Sequence, residues 1–89
     1  MISALREEIV LYIRDHEGAT RSDVLADVCP MMQKVGYDII TDLVGEGLVI
    51  QDSTSPYRTA LRLTVSGHEL SEKVLRLRGK VSDDTGEVV

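Results

Sequence analysis

The sequence contains no Phe and no Trp, one Cys, two Pro and three Tyr among 89 residues. Each scarcity removes a class of protein. With Cys29 alone, neither an intramolecular disulfide nor a thiolate zinc cluster can form within one chain, which fits a reducing cytoplasm. With three aromatic side chains there is little material for stacking on unpaired bases. No apolar run approaches the ~20 residues needed to span a bilayer. MISALREEIVLYIRDHEG is broken at helical spacing by Arg6, Glu7, Glu8 and Arg14, so it lacks the unbroken apolar core of a signal peptide. Membrane and exported classes are therefore not expected. Basic charge is also short: ten Lys and Arg against fifteen Asp and Glu give net −5, which argues against holding nucleic acid by bulk charge.

The charge is unevenly distributed. Residues 1–50 hold four basic and nine acidic side chains, residues 51–80 six and three, and residues 81–89 none and three. Positive charge therefore gathers after the middle of the chain. The 43% hydrophobic content is almost wholly aliphatic, enough for one core in one domain, with helices packed on a small sheet.

Ile2, Leu5, Ile9, Tyr12 and Ile13 share one face of a first amphipathic helix, which starts near Ser3 and stops at Gly18. Thr20 and Asp23 form a capping box with Asp in place of Glu or Gln, and Val24, Leu25 and Val28 supply the apolar face of a short second helix. Cys29-Pro30 marks a tight break, with Pro30 suited to the first turn of the next helix. Val35, Ile39, Ile40 and Leu43 then repeat at helical spacing over about residues 31–45, and Gln33, Lys34, Tyr37, Asp38 and Thr41 fall on the opposite side. Gly36 weakens that helix, and Gly45 and Gly47 allow positive φ after it. Leu48-Val49-Ile50 is β-prone, Asp52 to Pro56 is turn-rich, and Arg58 to Ser66 alternates with Leu61, Leu63 and Val65 on one face, so the two runs predict a hairpin. Ser66 and Glu69 read as a second capping box, opening a fourth helix over 66–78. Residues 79–89 read as a polar acidic tail, separate from a domain over 1–78.

Three helices, a hairpin and a closing helix give an α+β domain. At TRSDVLADV, DLVGEGLVI and LRLTVSGHEL, and in Leu43-x-x-x-Gly47-Leu48-Val49 followed by Leu63-Thr64-x-x-Gly67, the sequence resembles the winged helix-turn-helix family of bacterial, archaeal and phage regulators. The resemblance covers about residues 3–78. It implies a three-helix core with a two-stranded β-hairpin wing and a C-terminal helix, and a sequence-specific DNA-binding transcriptional regulator. In such a regulator the third helix enters the major groove of double-stranded DNA and the wing, 52–62, lies on the backbone. Carried onto this chain, Met32, Gln33, Lys34, Tyr37 and Asp38 become base-reading candidates. Gln33 suits adenine, Lys34 guanine acceptors or phosphate, and Asp38 cytosine N4. Arg21, at the start of helix two, would lie near the backbone.

Arg58 and Arg62 are four apart in a strand and point to one face, an expected phosphate clamp with Thr54, Ser55, Tyr57 and Thr59 adding hydroxyls. Leu70, Val74 and Leu77 either close the domain's own core or join Leu75 and helix one in a homodimer interface ringed by Lys73, Arg76, Arg78 and Lys80. No pair of residues makes a catalytic or metal site, and no cofactor is implied: His16 and His68 lie at a helix end and a helix start, and the carboxylates are dispersed. An enzyme is not expected. The acidic third helix, with Asp38, Asp42 and Glu46, keeps a second reading open, a protein–protein interaction module on the same scaffold without DNA binding.

Overall fold

The computed structural model describes the backbone of residues 2–55 and 58–87 and the side chains of 4–53 and 58–79. The element order is α1 (Ile2–Asp15), α2 (Arg21–Val28), α3 (Gln33–Gly45), β1 (Val49–Ser55), β2 (Arg58–Leu63) and α4 (Val65–Glu87). This is the α+β order that the sequence predicts. Ile9, Val10 and Ile13 of α1, Val24 and Leu25 of α2, Ile39, Ile40 and Leu43 of α3, and Val49, Leu61 and Leu63 of the hairpin meet in one core. Apolar side chains at three- and four-residue spacing on the helices, and at two-residue spacing on the strands, converge there. Among the described residues, no helix is long and apolar enough to cross a membrane, and no group of three or more His, Cys, Asp or Glu could hold a metal ion.

Helix boundaries follow local chemistry. At α2, Thr20 Oγ1 accepts from Asp23 N and Asp23 Oδ2 accepts from Thr20 N, so the capping box forms as read. Pro30 differs from expectation: Met32 N donates to Cys29 O at 3.0 Å, placing Pro30 in a turn ahead of α3, which starts at Gln33. Proline's fixed φ suits the second position of such a turn. Of the two glycines expected to allow positive φ, Gly47 is left-handed, at φ 77°, and Gly45 is the last helical residue of α3.

The antiparallel hairpin pairs Val49 with Leu63, Ile50 with Arg62, Gln51 with Leu61 and Asp52 with Ala60, with an irregularity before Ser55 meets Arg58. Strand β1 thus runs through part of the stretch expected to turn. Strand β2 stops at Leu63, so Val65 belongs to α4 and is exposed rather than inward-facing. The cap of α4 is Thr64 in place of Ser66: its hydroxyl accepts from Gly67 N at 3.0 Å and donates to Gly47 O at 2.6 Å. The helix also continues past residue 78 to Glu87, since Gly79 in a helix costs only about 1 kcal/mol relative to Ala.

The loop between α1 and α2 is stitched to the hairpin, with Leu61 N donating to Ala19 O at 2.8 Å and Gly18 N to Leu61 O at 3.2 Å. Across the α1–α2 contact, Tyr12 donates its hydroxyl to Asp27 at 2.5 Å. That hydrogen bond, with burial second, pushes the Tyr12 phenol up to about 12 from its ordinary 10.0. Because the folded value is raised, its contribution to stability is complete below pH ~10 and is lost as pH climbs through ~12. In an ultraviolet tyrosinate titration, Tyr12→Phe should delete the transition nearest pH 12. Loss of a transition near 10 would mean that the Asp27 contact does not persist in solution.

Candidate nucleic-acid interface

Helices α2 and α3 approach closely because Gly36 has no side chain. A Cβ there would lie 2.4 Å from Cys29 Sγ and 2.6 Å from Leu25 Cδ2, so the helix-weakening glycine is a packing requirement between the two helices. Gly36→Ala should destabilise by about 1 kcal/mol net, overpacking outweighing the gain in helix propensity. Adding Cys29→Ala should recover part of that loss in denaturant midpoint, because it removes the nearer of the two obstructing atoms.

With Gly36, Ile39, Ile40 and Leu43 buried, Gln33, Lys34, Tyr37, Asp38 and Thr41 are exposed on the other side of α3. Met32, just ahead of the helix, is half exposed. Arg21, at the start of α2, sits over the Tyr37 ring with its guanidinium carbon 4.7 Å from the centroid. Two of the expected contact residues therefore support each other across the helix pair. The Arg21 Nε is buried without a hydrogen-bond partner among the described residues.

The start of α2 and the wing face each other across an open cleft of about 410 Å³ lined by Thr20, Arg21, Ser22, Ser53, Arg58 and Thr59 together with Gln51. It presents two guanidinium groups, four hydroxyls and an amide. Arg58 reaches back from β2, Nη2 donating to Gly18 O at 2.7 Å and lying 3.6 Å from Asp23 Oδ2. Arg62 lies 3.7 Å from Asp52 Oδ2 on the same strand face, the diagonal placement that long side chains bridge. The two arginines thus take separate acidic partners, one at the α1–α2 loop and one in the wing. Both side chains remain more than half exposed, at 56% and 51%. Ion pairs of this exposure contribute about 0–1 kcal/mol, so either guanidinium can exchange its carboxylate for another anion.

Other charges are bound within the chain. Arg6 forks onto Glu46 at 2.6 and 3.1 Å, which raises the guanidinium and holds the Glu46 carboxyl below its ordinary range. One of the three acids expected to burden α3 is thereby neutralised from α1. Arg78 bridges Glu8 at 2.8 Å and Glu7 at 3.4 Å, while Lys73 and Arg76 are exposed. Of the four apolar positions considered for an interface on α4, Val74 is buried within the chain and Leu70 packs on its core. Leu75 and Leu77 remain exposed, at 38% and 55%. Tyr57, the side chains of Thr54, Ser55 and Lys80, and residues 88–89 lie outside what is described. The Arg6–Glu46 pair and the Gly18 carbonyl's contact with Arg58 were not legible, because each joins residues 40 positions apart.

No protein-family model and no curated protein matches the chain. Solved structures do. MepR, a transcription regulator of the Staphylococcus aureus multidrug efflux pump MepA, superposes with a TM-score of 0.85 at 16% identity, over 96% of this chain and 64% of its own. Staphylococcus aureus MarR in complex with salicylate and kanamycin gives 0.80 at 21%, over 94% and 57%. SSV1 F-93 gives 0.69 at 21%, over 90% of each chain. The chain thus spans less than two thirds of MepR and MarR and most of F-93. At these identities the likeness is one of fold, the winged helix-turn-helix.

Proposed function

We propose that this winged helix-turn-helix chain is a transcription regulator that binds double-stranded DNA in the cytoplasm. The exposed N-terminal half of α3 enters the major groove with Gln33, Lys34, Tyr37 and Asp38, and the wing lies on the sugar–phosphate backbone with Arg62. The observation that carries this reading is the cleft between the start of α2 and the wing, where Arg21 and Arg58 meet hydroxyls. Guanidinium groups, hydroxyls and free helix amides are the donors a backbone phosphate takes. MepR, named as a transcription regulator, is in keeping with it. Leu75 and Leu77, left open on α4, are the apolar positions through which two copies pair, doubling a contact surface that is small for one copy.

Selection of bound duplexes from a random pool, with solution mass measured alongside, tests this directly. A palindromic site, a dimer mass, and several-fold weaker retention for each of Arg58→Ala and Arg62→Ala are expected. No retention at low salt would sink the assignment and leave the protein-docking module, which the net charge of −5 favours.

A further inference from the structure

The turn before α3 and the first turns of that helix carry large apolar side chains that the chain leaves in solvent. Met31 is 92% exposed, Met32 50% and Val35 39%. Lys34, between Met32 and Val35 in sequence, is the only cation of α3, and that helix has no arginine. The forked donor that best reads guanine is therefore missing from the surface proposed to face bases. Beside Lys34 and Asp38, which suit G·C pairs, the surface offers one amide, Gln33, and exposed apolar side chains. In the major groove this combination matches A·T pairs. Adenine N6 and N7 take a side-chain amide, and the 5-methyl group of thymine is the one apolar feature on a base edge. Unbranched methionine adapts readily to such a methyl group.

Resting on the DNA-binding reading above, we propose that Met31, Met32 and Val35 contact thymine 5-methyl groups beneath the N-terminal half of α3, placing A·T pairs at the positions they touch. The charges around the patch favour this occupant over a second copy of the chain. Lys34 adjoins Val35 in sequence and Arg21 sits over the Tyr37 ring, two cations against the exposed Asp38, so a phosphate-bearing partner is attracted where a twin surface would bring like charges together.

Deoxyuridine supplies the test, because it removes only the methyl group and keeps pairing and the O4 acceptor. The full chain is titrated with its selected duplex, and with duplexes carrying uracil in place of thymine at one position at a time. At contacted positions affinity should fall by about fourfold, the worth of burying one methyl group. In the Met31→Ser, Met32→Ser double variant the thymine-to-uracil ratio should approach one at the positions the methionines contact, while the salt dependence of binding is retained. A duplex bound equally well with uracil at every position would overturn this proposal and leave DNA binding standing. Absence of any duplex binding at low salt would remove both. A double variant that lowers the mass in solution without moving the thymine-to-uracil ratio would assign the patch to a second copy and overturn the proposal.

Discussion

Gly67→Ala is expected to destabilise the protein by about 3 kcal/mol, at the upper end of what overpacking costs. For a domain of this size that lowers Tm by roughly 12–24 °C. A Cβ at Gly67 would stand 2.0 Å from the carbonyl oxygen of Leu48 and 3.1 Å from Leu63 Cδ2. The first obstacle is backbone, held in place as the acceptor of Thr64 N at 3.0 Å, so no rotamer change relieves it. Helix propensity acts the other way, favouring Ala over Gly by about 1 kcal/mol. Gly79 provides the control within the same helix: among the described residues nothing lies within 4 Å of its Cβ position, and Gly79→Ala should stabilise by up to about 1 kcal/mol. Opposite signs in paired thermal melts are the expected result. Equal shifts would mean that the first turn of α4 does not press on the α3–β1 connection.

That contact marks the limit of what local sequence shows. The Thr20–Asp23 box was legible because donor and acceptor are three residues apart and nothing distant competes for them. The Ser66–Glu69 pattern is equally local and fails. Thr64 takes the cap because its hydroxyl also donates to Gly47 O, 17 residues earlier in the chain, and this moves the helix start to Val65. The winged-helix order was readable from the alternation of Leu61 and Leu63 and from the spacing of Ile39, Ile40 and Leu43, since burial on one face dictates both patterns. The role of Gly36 was not, because its reason lies in Leu25 and Cys29 on the neighbouring helix.

The candidate interface divides in the same way. Exposure of Gln33, Lys34, Tyr37 and Asp38 followed from the helical period and is found. The partners of the two wing arginines could not be read, because strand parity gives direction and says nothing of Gly18 or Asp23 arriving from the α1–α2 loop. Pairing with acids also alters what the arginines signify. A guanidinium already beside a carboxylate offers phosphate an exchange rather than a new attraction, so affinity depends on the competing acid as well as on the arginine.

A salt series should expose that competition. If Arg21, Lys34, Arg58 and Arg62 each neutralise one phosphate, the slope of log affinity against log salt is about −3.6, at about −0.9 per contact. Raising monovalent salt from about 50 to 200 mM then weakens binding by roughly 10²-fold. Arg62→Ala should make the slope shallower by about one contact. Asp52→Asn should act in the opposite direction, because it removes the carboxylate 3.7 Å from Arg62 and one like charge from a surface that phosphate must approach. An exposed pair contributes at most about 1 kcal/mol, so duplex affinity should rise by up to about fivefold. Asp52 is the suitable acid to change, since Asp23 also caps α2 and its loss would mix folding with binding. In the Asp52→Asn background Arg62→Ala should cost more than in the parent chain, the sign of coupling expected when a carboxylate and a phosphate compete for one guanidinium. Retention insensitive to salt, or an Asp52→Asn chain that binds no better, would remove Arg62 from the phosphate contacts and with it the role proposed for the wing.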